Sequence, residues 1–119
     1  MLIVDAHLDL AWNALQWNRD LTCSVNTIRT CEAAVAGKGR GQNTVALPEL
    51  RAGRVALRFG TLLARSTGNP VAHIDFATPE QAYGTAQGQL AYYRALEAAA
   101  QVKIITDAAA LNAHLKAWA

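Results

Sequence analysis

Leu2-Ile3-Val4-Asp5-Ala6-His7-Leu8-Asp9 opens the chain as a short apolar run that ends in a histidine and an aspartate two positions apart. The run reads as a buried strand. Side chains alternate between the faces of a strand, so His7 and Asp9 are expected to point the same way. An imidazole and a carboxylate converging at one strand end suit half of a divalent metal site. Asp5 alternates onto the same face. It is placed either to take the second N–H of a metal-bound imidazole or to sit as a solvated strand-end carboxylate. The strand stands at the N-terminus, so the other ligands are expected from later in the chain or from another chain.

The segments that follow alternate helix and strand. Leu10 to Thr22, rich in Trp, Asn and Asp, reads as a loop, in which Trp12 either lines a pocket beside the metal pair or serves packing. Ser24 is placed to cap a helix over Val25 to Val35 that turns Val25, Ile28 and Cys31 to one face. Gly37-Lys38-Gly39-Arg40-Gly41 cannot hold regular structure and reads as a mobile loop. It lacks the preceding strand and the terminal Lys-Ser/Thr of a phosphate-binding loop. Leu47 to Ala52 reads as a helical turn closed by Gly53. Arg54 to Ala64 reads as the second strand, with Val55, Leu57, Phe59, Thr61 and Leu63 on one face. A second His-x-Asp, His73-Ile74-Asp75, falls in a Gly- and Pro-containing loop and reads as local turn chemistry.

Thr78-Pro79-Glu80-Gln81 carries the signature of a capping box with proline in the first turn, and predicts a helix to about Ala100. Gly84 and Gly88 lie one turn apart on it. Each costs about 1 kcal/mol relative to alanine, which predicts close approach of a neighbouring backbone. Val102 to Ile105 reads as a short extended piece, and Asp107 as the cap of a last amphipathic helix, Ala108 to Trp118, with His114 on its surface.

Composition sets the outer bounds. The chain has 119 residues, 52% hydrophobic and 17% charged, enough apolar material for a packed core rather than disorder. A net charge of +2 is too small to suggest a nucleic-acid or anionic-membrane partner. No run approaches the ~18 apolar residues of a membrane span. The N-terminus lacks the basic region and unbroken apolar stretch of a secretory signal, so a cytoplasmic location is expected. In a helix Cys23 and Cys31 would stand ~12 Å apart, too far for a disulfide, so both are expected as free thiols, Cys31 in the core. Arg58, in mid-strand, is expected to pair with a carboxylate or face solvent.

Apolar strands alternating with helices indicate an α/β fold with parallel strands. Two strands are too few for a closed sheet, since a parallel barrel needs eight and typically ~250 residues.

Val4-Asp5-Ala6-His7-Leu8-Asp9-Leu10-Ala11-Trp12 resembles the opening motif of the membrane (renal) dipeptidases, zinc metallopeptidases of the amidohydrolase-like superfamily. Leu47-Pro48-Glu49-Leu50-Arg51-Ala52-Gly53 is similar to that family's turn before strand two. Ala91-Tyr92-Tyr93-Arg94 and Ile105-Thr106-Asp107 continue the similarity. The resemblance implies a partial (β/α)8 barrel, residues 1–119 forming its N-terminal segment with the first two parallel strands and their helices. It implies a site for two zinc ions in which His7 and Asp9 are ligands, a strand-three glutamate bridges the ions and later histidines complete the set. The implied activity is metal-dependent hydrolysis of dipeptides by metal-bound hydroxide. Ala119 aligns with the end of the helix before strand three, so the chain by itself is expected to lack the bridging glutamate and to be inactive. The alternative is a truncated, non-catalytic relative that self-associates or binds a complementing chain.

Overall fold

The computed structural model describes residues 1–118. Its elements run β1 (Ile3–Leu8), α1 (Leu10–Trp17), α2 (Val25–Glu32), α3 (Leu47–Ala52), β2 (Val55–Gly60), α4 (Pro79–Ala98) and α5 (Ala108–Trp118). β1 and β2 form a two-stranded sheet. The Ile3 N–H donates to the Arg54 carbonyl (3.0 Å), and the Thr61 N–H donates to the Leu8 carbonyl (3.2 Å). Start pairs with start and end with end, so the strands are parallel. The fold is mixed α/β, as the alternation of strand and helix predicts. No helix among the described residues is long and apolar enough to cross a membrane.

The chain divides into two units. The first comprises Met1–Ala6, Arg19–Arg58 and the stretch from Thr106. Its core is Leu21, Ile28, Ala46, Leu47, Leu50 and Ala56. Ser24 caps α2 by accepting the Thr27 N–H (3.1 Å), and Glu49 of α3 accepts the Val25 N–H (3.0 Å). α2 ends at Glu32, one turn before the expected Val35, because Glu32 turns inward to a buried cluster. Arg19 grips that carboxylate with two bonds (2.8 and 3.0 Å), Arg40 adds a third (2.7 Å) and the Gly41 N–H a fourth (2.9 Å). Arg19 also donates to the Gly39 carbonyl (2.8 Å). The glycine segment expected to be mobile is therefore tied down at three residues. Arg19 foremost, with Arg40 and the Gly41 amide against the opposing effect of burial, holds the Glu32 carboxyl at about 2. Cys31 is exposed rather than in the core, since Ile28 and Glu32 take the inward face; both cysteines are free. Asp107 caps α5 through the Ala110 N–H (2.8 Å), and the His114 ring N–H, expected at the surface, donates to the Ala56 carbonyl (2.7 Å).

The second unit comprises His7–Asn18 and Phe59–Ile105. Here α1 packs against α4. The stretch expected as a loop after the first strand is a helix, because Leu10, Ala11 and Ala14 recur at helical spacing and are buried. Asn18, in the left-handed conformation (φ 52°), ends it. On α4 the inward stripe is Gln89, Tyr93 and Leu96, of which Gln89 and Leu96 are buried. The capping box is present as predicted: Thr78 Oγ1 accepts the Gln81 N–H (3.3 Å) and Gln81 Oε1 accepts the Thr78 N–H (3.1 Å). The reading of Gly84 and Gly88 is overturned, since an added Cβ at either meets nothing within 4 Å. Their helical cost has no packing counterpart among the described residues. β2 stops at Gly60 rather than Ala64, because side chains of α4 take the backbone groups that follow. The Gln89 amide both accepts from the Leu63 N–H (2.6 Å) and donates to the Leu63 carbonyl (2.8 Å), standing in for a neighbouring strand. Val102 to Ile105 forms no strand.

Candidate functional site

The parallel ladder ends where Leu8 accepts the Thr61 N–H, and this sets Asp9 and Thr61 side by side. The His7 ring, which is well exposed, brings Nε2 to 3.3 Å from Asp9 Oδ1. The two side chains picked out by strand alternation thus converge. Asp9 Oδ1 also accepts the Thr61 hydroxyl proton. The Asp9 carbonyl starts α1, accepting both the Asn13 N–H and the Asn13 side-chain amide (3.0 Å each). Asp9 occupies the N-cap position, yet its carboxylate makes no bond to the helix N-terminus.

The support behind this pair comes from α4. The Tyr93 hydroxyl donates to the Thr61 carbonyl (3.1 Å) and accepts the Ala11 N–H (3.2 Å). Tyr93 lies so close to β2 that a Cβ at Gly60 would stand 3.0 Å from Tyr93 Cζ. Gln89, one turn earlier, fixes Leu63 as described. Thr61, Tyr93 and Gln89 were not singled out from sequence as site residues. A sequence signal for them exists: two polar side chains at i and i+4 on the buried stripe of a helix, opposite a Gly-Thr strand end.

The fit of a metal to His7 and Asp9 can be tested on their spacing. Two donors each ~2.1 Å from one ion at the tetrahedral angle stand ~3.4 Å apart. The 3.3 Å separation of Nε2 and Oδ1 is compatible with that chord, and is equally the distance of a direct contact between the two side chains. One imidazole nitrogen and one carboxylate oxygen are also a donor set that zinc accepts. Among the described residues, no three His, Cys, Asp or Glu side chains form a group able to hold a metal ion. The pair therefore offers two ligands of the three or four that zinc takes.

The remaining candidates are placed as follows. Asp5 is half-buried on β1 and takes part in interactions of its own. Trp12 donates its indole N–H to the His73 carbonyl (2.7 Å) and meets Trp17 edge to face (5.8 Å). It pins the loop before α4, whatever else it touches. The second His-x-Asp does not converge. The His73 ring stacks on Trp17 (5.7 Å), with its backbone at φ 71°. Asp75 turns the other way, accepting the Thr67 hydroxyl (2.7 Å), the Thr67 N–H (2.9 Å) and Arg65 Nε (3.0 Å). The Thr67 hydroxyl foremost, helped by Arg65, holds the Asp75 carboxyl below the usual range. The same three-letter spacing thus gives a convergent pair at a strand end and two separate anchors in a turn.

Compared with protein-family models, curated proteins and solved structures, the chain matches none of them.

Proposed function

We propose that the chain is part of a zinc-dependent hydrolase of the membrane dipeptidase type, in which β1 and β2 are the first two strands of a (β/α)8 barrel and His7 and Asp9 are metal ligands. The observation that carries this reading is the 3.3 Å approach of His7 Nε2 and Asp9 Oδ1 at the end of β1. Its position supports it too, because barrel enzymes assemble their chemistry at the C-terminal ends of parallel strands. In that setting a bound zinc would lower the pKa of a water to ~7 and so supply hydroxide at neutral pH. This chain's own part is to hold two donors at ligand spacing and to fix the carboxylate through Thr61. In that family the second zinc, its bridging glutamate and the dipeptide pocket are assembled on later strands, as the resemblance implies.

The test is a zinc titration of the chain followed through the His7 ring proton resonances, with His7→Ala and Asp9→Ala variants measured by calorimetry. Saturable binding that shifts the His7 ring and is lost in both variants is the expected result. Zinc binding of equal strength in wild type and Asp9→Ala overturns the metal role. A second reading, the self-associating or partner-binding relative, is favoured by Ile3 (40% exposed), Val4 (51%) and Phe59 (63%), apolar strand residues left uncovered. Sedimentation tests its self-associating form, which requires a dimer or larger species in the absence of zinc.

A further inference from the structure

Asp9 departs from what the capping side chains of α2, α4 and α5 do. Aspartate is among the preferred N-cap residues, its carboxylate accepting from the amide two or three positions on. Ser24, Thr78 and Asp107 all do this in this protein, bonding the amides of Thr27, Gln81 and Ala110. Ser24 and Thr78 do so from extended backbone (ψ 155° and 154°). Asp9 sits at ψ 50° and its side chain caps nothing. The amide it would take at the second helical position, Ala11, is already bonded to the Tyr93 hydroxyl. Its carboxylate is engaged instead by Thr61 Oγ1, whose carbonyl receives the Tyr93 proton.

We infer that Tyr93 and Thr61 are positioning residues for the metal site: Tyr93 caps α1 in place of Asp9, Thr61 draws the carboxylate toward β2, and together they keep Asp9 turned to His7. The proton count closes. Tyr93 gives its one proton to Thr61 and accepts from Ala11, while Thr61 gives its own to Asp9. This inference rests on the reading of His7 and Asp9 as ligands, and sharpens it. The local preference of an aspartate for its own helix is overruled by two hydroxyls that reach in from β2 and α4. Such a departure from local preference is the kind found at functional sites.

The experiment is a zinc titration of the full chain as wild type, Tyr93→Phe, Thr61→Val and Thr61→Ser, with His7→Ala and Asp9→Ala as reference arms and amide spectra to verify folding. Tyr93→Phe and Thr61→Val are each expected to weaken zinc binding by about tenfold or more, the usual effect of losing a group that orients a ligand. Thr61→Ser keeps the hydroxyl and is expected to bind as wild type does. In zinc-free Tyr93→Phe, Asp9 is expected to take over the Ala11 amide. The Ala11 proton resonance then depends on Asp9 in that variant and not in wild type. A role in stability alone moves neither readout. If His7→Ala and Asp9→Ala abolish binding while Tyr93→Phe and Thr61→Val bind within about twofold of wild type, the positioning role is overturned and the ligand role stands. If wild type does not bind zinc, or the two reference variants bind it unchanged, the ligand role fails for this chain, and the Ala11 resonance alone decides whether Tyr93 displaces Asp9. Should Tyr93→Phe not fold, the Thr61→Val and Thr61→Ser pair decides, equal affinity in the two overturning the inference.

Discussion

Replacing Glu32 by glutamine removes one charge from the cluster that anchors the glycine loop. The side chains of Arg19 and Glu32 are each 7% exposed and that of Arg40 19%, so two guanidinium groups lose their counter-charge with little water to replace it. The size of the effect follows from the carboxyl itself, lowered from 4.5 to about 2. At 1.36 kcal/mol per pKa unit that gap is worth at most about 3 kcal/mol, and about 2 kcal/mol once solvent screening at Arg40 is allowed for. The sign follows from linkage. A depressed carboxyl pKa contributes stability that is complete above 4.5 and lost as pH falls toward 2. Glu32→Gln is therefore expected to melt about 5–12 °C below wild type at pH 7. The difference should narrow steadily below pH 4.5 and nearly close by pH 2. Thermal unfolding followed by far-ultraviolet circular dichroism at pH 7, 4 and 2 measures all of this. A gap under about 2 °C at pH 7, or one that stays constant down to pH 2, refutes the assignment of this stability to Glu32.

Gln89→Leu leaves the Leu63 N–H and carbonyl without their partner beside a filled core position, and is expected to cost about 2–4 kcal/mol in urea unfolding; a loss below about 1 kcal/mol contradicts the bidentate contact. Thr78→Ala removes one half of the capping box and is expected to cost about 1 kcal/mol while leaving the zinc response of His7 unchanged, which a paired unfolding curve and ring titration would check.

The convergence of His7 and Asp9 was legible because a strand has a period of two and the apolar run before them is unambiguous. The capping box at Thr78 and the cap at Asp107 were legible for a similar reason, being local chemistry with fixed offsets. What escaped depends on distant partners. Trp12, Asn13 and Trp17 suggested a loop, yet Leu10, Ala11 and Ala14 had α4 to pack against and became helical. Three glycines suggested mobility at 37–41, but Arg19, twenty residues before Gly39, reaches its carbonyl and shares Glu32 with Arg40. The end of β2 was set by a glutamine 26 positions beyond Leu63, which no propensity at residues 61–64 encodes. Thr61 counted in sequence only as one more strand residue. Its importance arises from the register, which lays it beside Asp9.

The contact between Gly60 and Tyr93 ties together two positions outside the His7–Asp9 pair. Any side chain at 60 would push on Tyr93 Cζ, Oη and Cε1, all within 3.3 Å of where its Cβ would sit. The tyrosine could yield only by withdrawing its hydroxyl from Ala11 and Thr61. The acceptable residues at 60 are thus conditional on the one at 93, a form of epistasis. Divergent descendants of this sequence should exchange the two in concert, or neither.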